Sequence, residues 1–70
     1  MIDTHLAQAE WRVAEGERWV EDQRKLVGRL QRDGHDAMEA LLLLGEFEEM
    51  LARYRADRDR LLDERHRSAS

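Results

Sequence analysis

Three histidines and sixteen carboxylates are the residues of this 70-residue chain that could bind a metal ion or transfer protons. Helical di-iron proteins place a histidine three residues after a glutamate, and this spacing does not occur here. His5 and His66, with Glu64 nearby, come together only if the chain folds back on itself, and terminal histidines of this kind are usually solvated. We therefore expect no metal site and no cofactor.

Acid–base and nucleophilic catalysis have little support in the sequence. Glu17 and Glu48 could share a proton if folding buried them side by side, but we expect them to stay separate and hydrated. Cysteine is absent, Ser68 and Ser70 stand in the tail, and Thr4 has no neighbouring base. A chain this short also has little room for a concave active site. The sequence predicts a protein that is not an enzyme.

Arginines that could contact nucleic acid are concentrated in the last third of the chain, at Arg53, Arg55, Arg58, Arg60, Arg65 and Arg67. They alternate with aspartates, which is typical of a solvated helix face held by ion pairs. The net charge of −4 also disfavours a general nucleic-acid binder. A nucleic-acid-associated regulator that uses this arginine-rich segment remains the alternative function.

All of these residues are positioned by one predicted turn, Asp33-Gly34-His35-Asp36. Gly34 suits the left-handed conformation that ends a helix, because it has no Cβ, and Asp33 and His35 flank it as C-cap and following residue. Asp36 can then cap the next helix, with Glu39 three residues later in the capping-box position. Stop, turn and start signals together predict a helical hairpin.

The rest of the chain has the composition and periodicity of two long helices. Charged residues make up 40% of the chain, hydrophobic residues 41%, and proline is absent. Apolar and small residues recur at alternating spacings of four and three, the 3.5-residue period of a coiled coil. We call these the seam positions: Ile2, Leu6, Ala9, Val13, Gly16, Val20, Gln23, Val27 and Leu30, then Ala37, Ala40, Leu44, Phe47, Leu51, Tyr54, Arg58, Leu61 and Arg65.

These features predict an all-α fold, a single antiparallel two-helix hairpin over residues 1–70. Its parts are helix 1 at about 3–32, the turn at 33–36, helix 2 at about 37–65 and a frayed tail at 66–70. Gly16 should leave space beside Phe47 and Leu51. The register also brings charged residues together across the helices: Arg12 with Asp57, His5 with Glu64, Glu10 with Arg55, and Glu17 with Glu48.

One flank of the seam is apolar near the turn, where Trp19, Leu26, Leu43 and Met50 form what we call the apolar patch. A lone 70-residue hairpin buries little area for the entropy that it loses. We therefore predict that the apolar patch is a dimer interface that joins two hairpins into a four-helix bundle. The alternative is that it only widens the core within one chain.

Two further apolar residues, Trp11 and Leu42, should face away from the seam. Isolated exposed apolar side chains are common on soluble proteins. Whether these two form a second interface stays open at this stage.

The sequence resembles a group of short bacterial helical-hairpin proteins with no assigned activity. The resemblance is carried by the segments His5-Leu6-Ala7, Ala9-Glu10, Glu15-Gly16-Glu17-Arg18, Gln23-Arg24, Asp33-Gly34-His35-Asp36, Leu43-Leu44, Phe47-Glu48 and Asp57-Arg58-Asp59-Arg60-Leu61. It covers nearly the whole chain, and the turn is its distinctive part. The resemblance implies the hairpin and implies no functional residues.

The function that the sequence favours is a small, self-associating interaction or structural module. Its expected partners are a second copy of the chain and another protein, with nucleic acid disfavoured. The chain has no cysteine, no signal-peptide pattern and no apolar run near the roughly 20 residues that span a membrane. We therefore expect a cytoplasmic protein that does not enter the membrane.

Overall fold

Two long helices fold back on each other in the computed structural model, which describes residues 2–69 and the side chains of residues 4–68. Helix α1 spans Ile2–Arg32 and helix α2 spans Met38–Ala69. They pack along their whole length into a rod with extents of 56 × 14 × 14 Å. The predicted all-helical hairpin is confirmed.

The turn is built on Gly34, which has a φ of +74°. The amide of Gly34 donates a hydrogen bond to the carbonyl of Gln31 (3.2 Å), and the amide of His35 donates one to the carbonyl of Leu30 (2.9 Å). These two bonds form a Schellman ending, in which the last carbonyls of a helix are satisfied by the residues that leave it. The turn therefore supplies hydrogen-bond donors to the carbonyls of Leu30 and Gln31 at the end of α1 while the chain reverses direction.

Helix α2 begins with a side-chain hydrogen bond. A carboxylate oxygen of Asp36 accepts a hydrogen bond from the amide of Met38 at 2.9 Å, and the carbonyl of Ala37 accepts one from the amide of Leu41 at 2.8 Å. Glu39 places its negative charge in the first turn, where the helix dipole favours it. Asp36 therefore caps α2 with its side chain. Among the described residues, no reciprocal hydrogen bond from Glu39 completes the predicted capping box.

The seam forms the core of the hairpin. In α1 every seam residue from 6 to 27 is buried. Ala37, just before α2, is also buried, and α2 contributes a buried or half-buried residue at each seam position from 40 to 61. The centre is Val13, Val20 and Leu51, packed against Leu44, Phe47 and Tyr54. The seam position Ile2 lies outside the described side chains.

Gly16 marks a close approach between the two helices. A Cβ added there would lie 3.1 Å from Cδ1 of Leu51 and 3.5 Å from Cδ2 of Tyr54. The nearest neighbours are thus Leu51, which the sequence predicted, and Tyr54, which it did not. The reason is that a Cβ leans toward the N-terminus of its helix, which at Gly16 is toward the level of Tyr54.

One boundary differs from the sequence prediction. Helix α2 continues to Ala69, whereas the sequence predicted an end near residue 65 and a frayed tail. Arg67 contacts Asp63 one turn earlier, with 2.9 Å between Nη2 and Oδ2. An ion pair at this spacing stabilises the helical conformation locally, since the two side chains lie on the same face. Ser70, the end of the predicted tail, lies outside the described residues.

Candidate interaction surfaces

The apolar patch is partly exposed on one flank of the hairpin. Trp19 is 41% exposed, Leu26 37% and Leu43 39%, and Met50 is half-buried. The seam brings α1 and α2 together, so each helix supplies two of the four residues. Each of these large apolar side chains could therefore bury substantially more of its surface against a partner.

Trp19 of the apolar patch packs against an aromatic ring of the opposite helix. Its indole lies against the ring of Phe47, with 6.1 Å between the ring centroids and a tilt of 41°, a geometry typical of stable aromatic pairs. A shallow, open depression of about 280 Å³ is lined by Trp19, Asp22, Gln23 and Phe47. The contact between Trp19 and Phe47 fixes one edge of the apolar patch to the core.

A second group of exposed apolar residues lies on α2 near the turn, at Met38, Leu41 and Leu42. These positions are three and four residues apart, so they share one face of the helix. That face is on the other side of α2 from Leu43. The exposure of Leu42 was predicted from the sequence, whereas that of Met38 was not, although its spacing from Leu41 and Leu42 was the available signal.

Opposite the apolar patch, the other flank of the hairpin is closed by ion pairs between the helices. Arg24 contacts Glu48 at 3.1 Å, and Arg55 contacts Glu17 at 3.5 Å. These four residues surround a shallow depression of about 320 Å³ whose floor includes seam residues of both helices. We call this surface the polar flank.

The polar flank corrects two pairings predicted from the sequence. Arg55 contacts Glu17 instead of Glu10, and Glu48 contacts Arg24 instead of lying against Glu17. Side chains lean toward the N-terminus of their helix, so in an antiparallel pair they converge when each residue lies slightly past the other. Glu17 and Arg55 meet this condition, whereas Glu10 and Arg55 lean apart. Glu17 and Glu48 therefore each form an ion pair with an arginine of the opposite helix.

The arginines on the flank of the apolar patch are in a different situation. The guanidinium groups of Arg12, Arg29 and Arg53 have no ion pair or hydrogen bond with any described residue. Asp57, which the sequence paired with Arg12, contacts Arg60 at 3.5 Å. The described hairpin thus forms cross-helix ion pairs on one flank and leaves three cations available on the other.

Several other arginines contact acids of their own helix. Arg58 contacts Asp59 at 3.1 Å, in the alternating segment near the end of α2. In α1 the guanidinium of Arg18 donates to both carboxylate oxygens of Glu15, at 2.7 and 2.8 Å. This hydrogen bond, with the negative charge of Glu15, raises the pKa of Arg18.

Gln23 is the buried polar residue of the core. Its side-chain nitrogen donates a hydrogen bond to the carbonyl oxygen of Ala40 on the opposite helix, at 3.0 Å. A buried amide needs such a partner, since an unsatisfied one costs about 1–3 kcal/mol. This bond ties α1 to α2 in one register. The sequence placed Gln23 on the seam but gave no indication of its acceptor.

No group of three histidine, aspartate or glutamate side chains within residues 2–69 is placed to hold a metal ion. In the same part of the chain, neither helix has a stretch that is both long and apolar enough to cross a membrane.

Comparison with known proteins adds no relative: no protein-family model, curated protein or solved structure matches the chain. The candidate surfaces therefore have to be interpreted from their own geometry.

Proposed function

We propose that this chain is a small interaction module that associates with a second copy of itself through the apolar patch. Two hairpins joined at Trp19, Leu26, Leu43 and Met50 form a four-helix bundle with a two-fold axis. The observation that carries the proposal is the position of the four residues, two on each helix, on the flank where the described side chains form no cross-helix ion pair.

The energy available from the apolar patch is of the right order for association. About 40% of Trp19, Leu26 and Leu43 is exposed, so burying the remainder contributes roughly 1 kcal/mol per residue. Four such residues from each copy give roughly 8 kcal/mol per dimer. Association costs about 4–15 kcal/mol. The apolar patch therefore makes a dimer feasible, and the surface around it decides the affinity.

The test compares one substitution at two matched positions. Leu43 and Leu41 lie on the same helix, are 39% and 43% exposed, and face opposite flanks. We expect Leu43→Glu to weaken the dimer about 100-fold or more, because two copies each lose apolar burial and place a carboxylate in the interface. Leu41→Glu should leave the dimer intact. Sedimentation equilibrium measures the dimer dissociation constant of each variant, and circular dichroism reports its helical content.

A second variant protects the test against loss of folding. Replacing Leu26 and Met50 together with glutamate acts on both helices of the apolar patch and should also give monomers. A wild-type chain that is a folded monomer at micromolar concentration contradicts self-association. Equal weakening by Leu41→Glu and Leu43→Glu would instead show that the chosen flank is wrong.

A further inference from the structure

We propose that the two copies dock with their turns at the same end, so that α1 of each hairpin packs against α2 of the other. This inference rests on the proposed self-association and specifies how it is arranged. The bound partner is a second copy of the chain. The apolar patch supplies the contact area, and the charges beside it select the arrangement.

The two helices carry the same pattern of side chains on the flank of the apolar patch. Each pattern reads acidic, apolar, acidic, apolar, basic at spacings of four, three, four and three. In α1 it is Glu15, Trp19, Asp22, Leu26 and Arg29, and in α2 it is Glu39, Leu43, Glu46, Met50 and Arg53. The acidic start and basic end mean that two such stripes attract each other when they run in opposite directions.

The register within one hairpin gives the levels at which the stripes meet. Gly16 lies beside Leu51, so residues of α1 and α2 whose numbers sum to about 67 are at the same height. With the turns together, the same relation holds between α1 of one copy and α2 of the other. Arg29 then meets the partner's Glu39, and Arg53 meets the partner's Glu15, which also contacts Arg18 of its own helix at 2.7 Å. Arg29 and Arg53 have no ion pair with a described residue of their own chain.

A dimer with its turns at opposite ends would also join acidic starts to basic ends, because it pairs each helix antiparallel with its own copy. Two arguments favour the turns-together form. Arg12 would reach the partner's Asp57, which contacts Arg60 in its own chain, only when the open ends of the two hairpins lie side by side. The full face of a rod 56 Å long and 14 Å wide also offers roughly 800 Å² per copy, the area of a standard interface, whereas opposed turns leave the open ends without a partner.

The arrangement contains one unfavourable pair, Asp22 with the partner's Glu46. Arg18 lies near enough to Asp22 for their charges to interact, which reduces the repulsion. In the turns-together form Glu46→Lys converts this pair into an attraction and should tighten the dimer about threefold to tenfold. With opposed turns, Glu46 faces its own copy, and the lysine would face another lysine without gain.

Charge reversal at Glu39 separates the two arrangements. Glu39→Arg alone should weaken the dimer about 5- to 30-fold, because two exposed attractions become repulsions. The double variant Arg29→Glu with Glu39→Arg should restore the affinity in the turns-together form. The double variant Glu39→Arg with Arg53→Glu should weaken it further. Sedimentation of the four proteins at low ionic strength measures each Kd.

The outcomes distinguish this inference from the proposed function. If the double variant Glu39→Arg with Arg53→Glu restores the affinity of the dimer, the turns-together form is overturned while self-association stays in place. An unchanged Kd in all three variants also overturns it, since the charges would then have no part in docking. A wild-type monomer at micromolar concentration overturns both.

A distance measurement provides an independent check that does not depend on charge. The chain has no cysteine, so Ala7→Cys, at an exposed position near the open end, takes a single spin label. With the turns together, the two labels should lie within about 30 Å of each other. With the turns opposed they should lie about 45 Å apart, and that result would contradict the inference.

Discussion

Replacing Gly16 with alanine tests the close approach of the two helices. Alanine gains about 1 kcal/mol over glycine inside a helix. Against this, the new Cβ would lie 3.1 Å from Cδ1 of Leu51, and carbon atoms attract best at about 3.5–4.0 Å. Leu51 is 5% exposed and packed in the core, so it cannot move freely. Overpacking costs about 1–3 kcal/mol, and we expect a net loss of about 1 kcal/mol.

Two other glycines provide matched controls for the same substitution. At Gly45 nothing lies within 4 Å of an added Cβ. At Gly28 the nearest atom is Nη1 of Arg32 at 3.3 Å, the mobile end of an exposed side chain. Both alanine variants should therefore raise the free energy of unfolding by about 1 kcal/mol.

Urea unfolding followed by circular dichroism measures all three variants, at one protein concentration, because dimerisation would make stability depend on concentration. The expected difference between Gly16→Ala and Gly45→Ala is about 2 kcal/mol. Equal stabilisation by the two changes would mean that the helices do not meet at Gly16. The register, and every pairing that follows from it, would then have to be abandoned.

Three further substitutions test the turn and the core by the same unfolding assay. Gly34→Ala should cost about 1–2 kcal/mol of stability, because φ is +74° there. No atom lies within 4 Å of an added Cβ, so this cost comes from the backbone conformation and not from a clash. Gly34→Asn should cost less, and equal stability of the wild type and both variants would contradict the left-handed turn. Asp36→Ala removes the acceptor for the amide of Met38 and should cost about 1 kcal/mol, a loss that Asp36→Asn should largely avoid. Gln23→Ala removes the hydrogen bond to Ala40 and leaves a void, so we expect a loss of about 2 kcal/mol, and no loss would show that the bond is dispensable.

The hairpin itself follows from local signals in the sequence. Gly34 is flanked by helix-ending and helix-starting residues, and local conformational preferences act over a few residues without help from the rest of the fold. The seam follows from periodicity, because residues spaced four and three apart fall on one face of a helix. Two such faces joined by a short turn have few ways to pack.

The cross-helix contacts were harder to predict because they depend on three-dimensional offsets. Glu17 and Arg55 differ from a level pairing by several residues, and only the lean of the side chains brings them together. The acceptor of Gln23 is a backbone carbonyl, which sequence patterns do not mark. The contact of Trp19 with Phe47 likewise depends on rotamers. Heptad positions thus give the face of a residue but not its partner.

The two flanks of the hairpin differ in a way that bears on its role. On the polar flank, Arg24 and Arg55 meet glutamates of the opposite helix, so charge is balanced within one chain. The other flank combines half-exposed apolar side chains with arginines that have no ion pair in the described chain. This difference supports the proposed self-association, in which the apolar area provides the driving force and the neighbouring charges provide orientation.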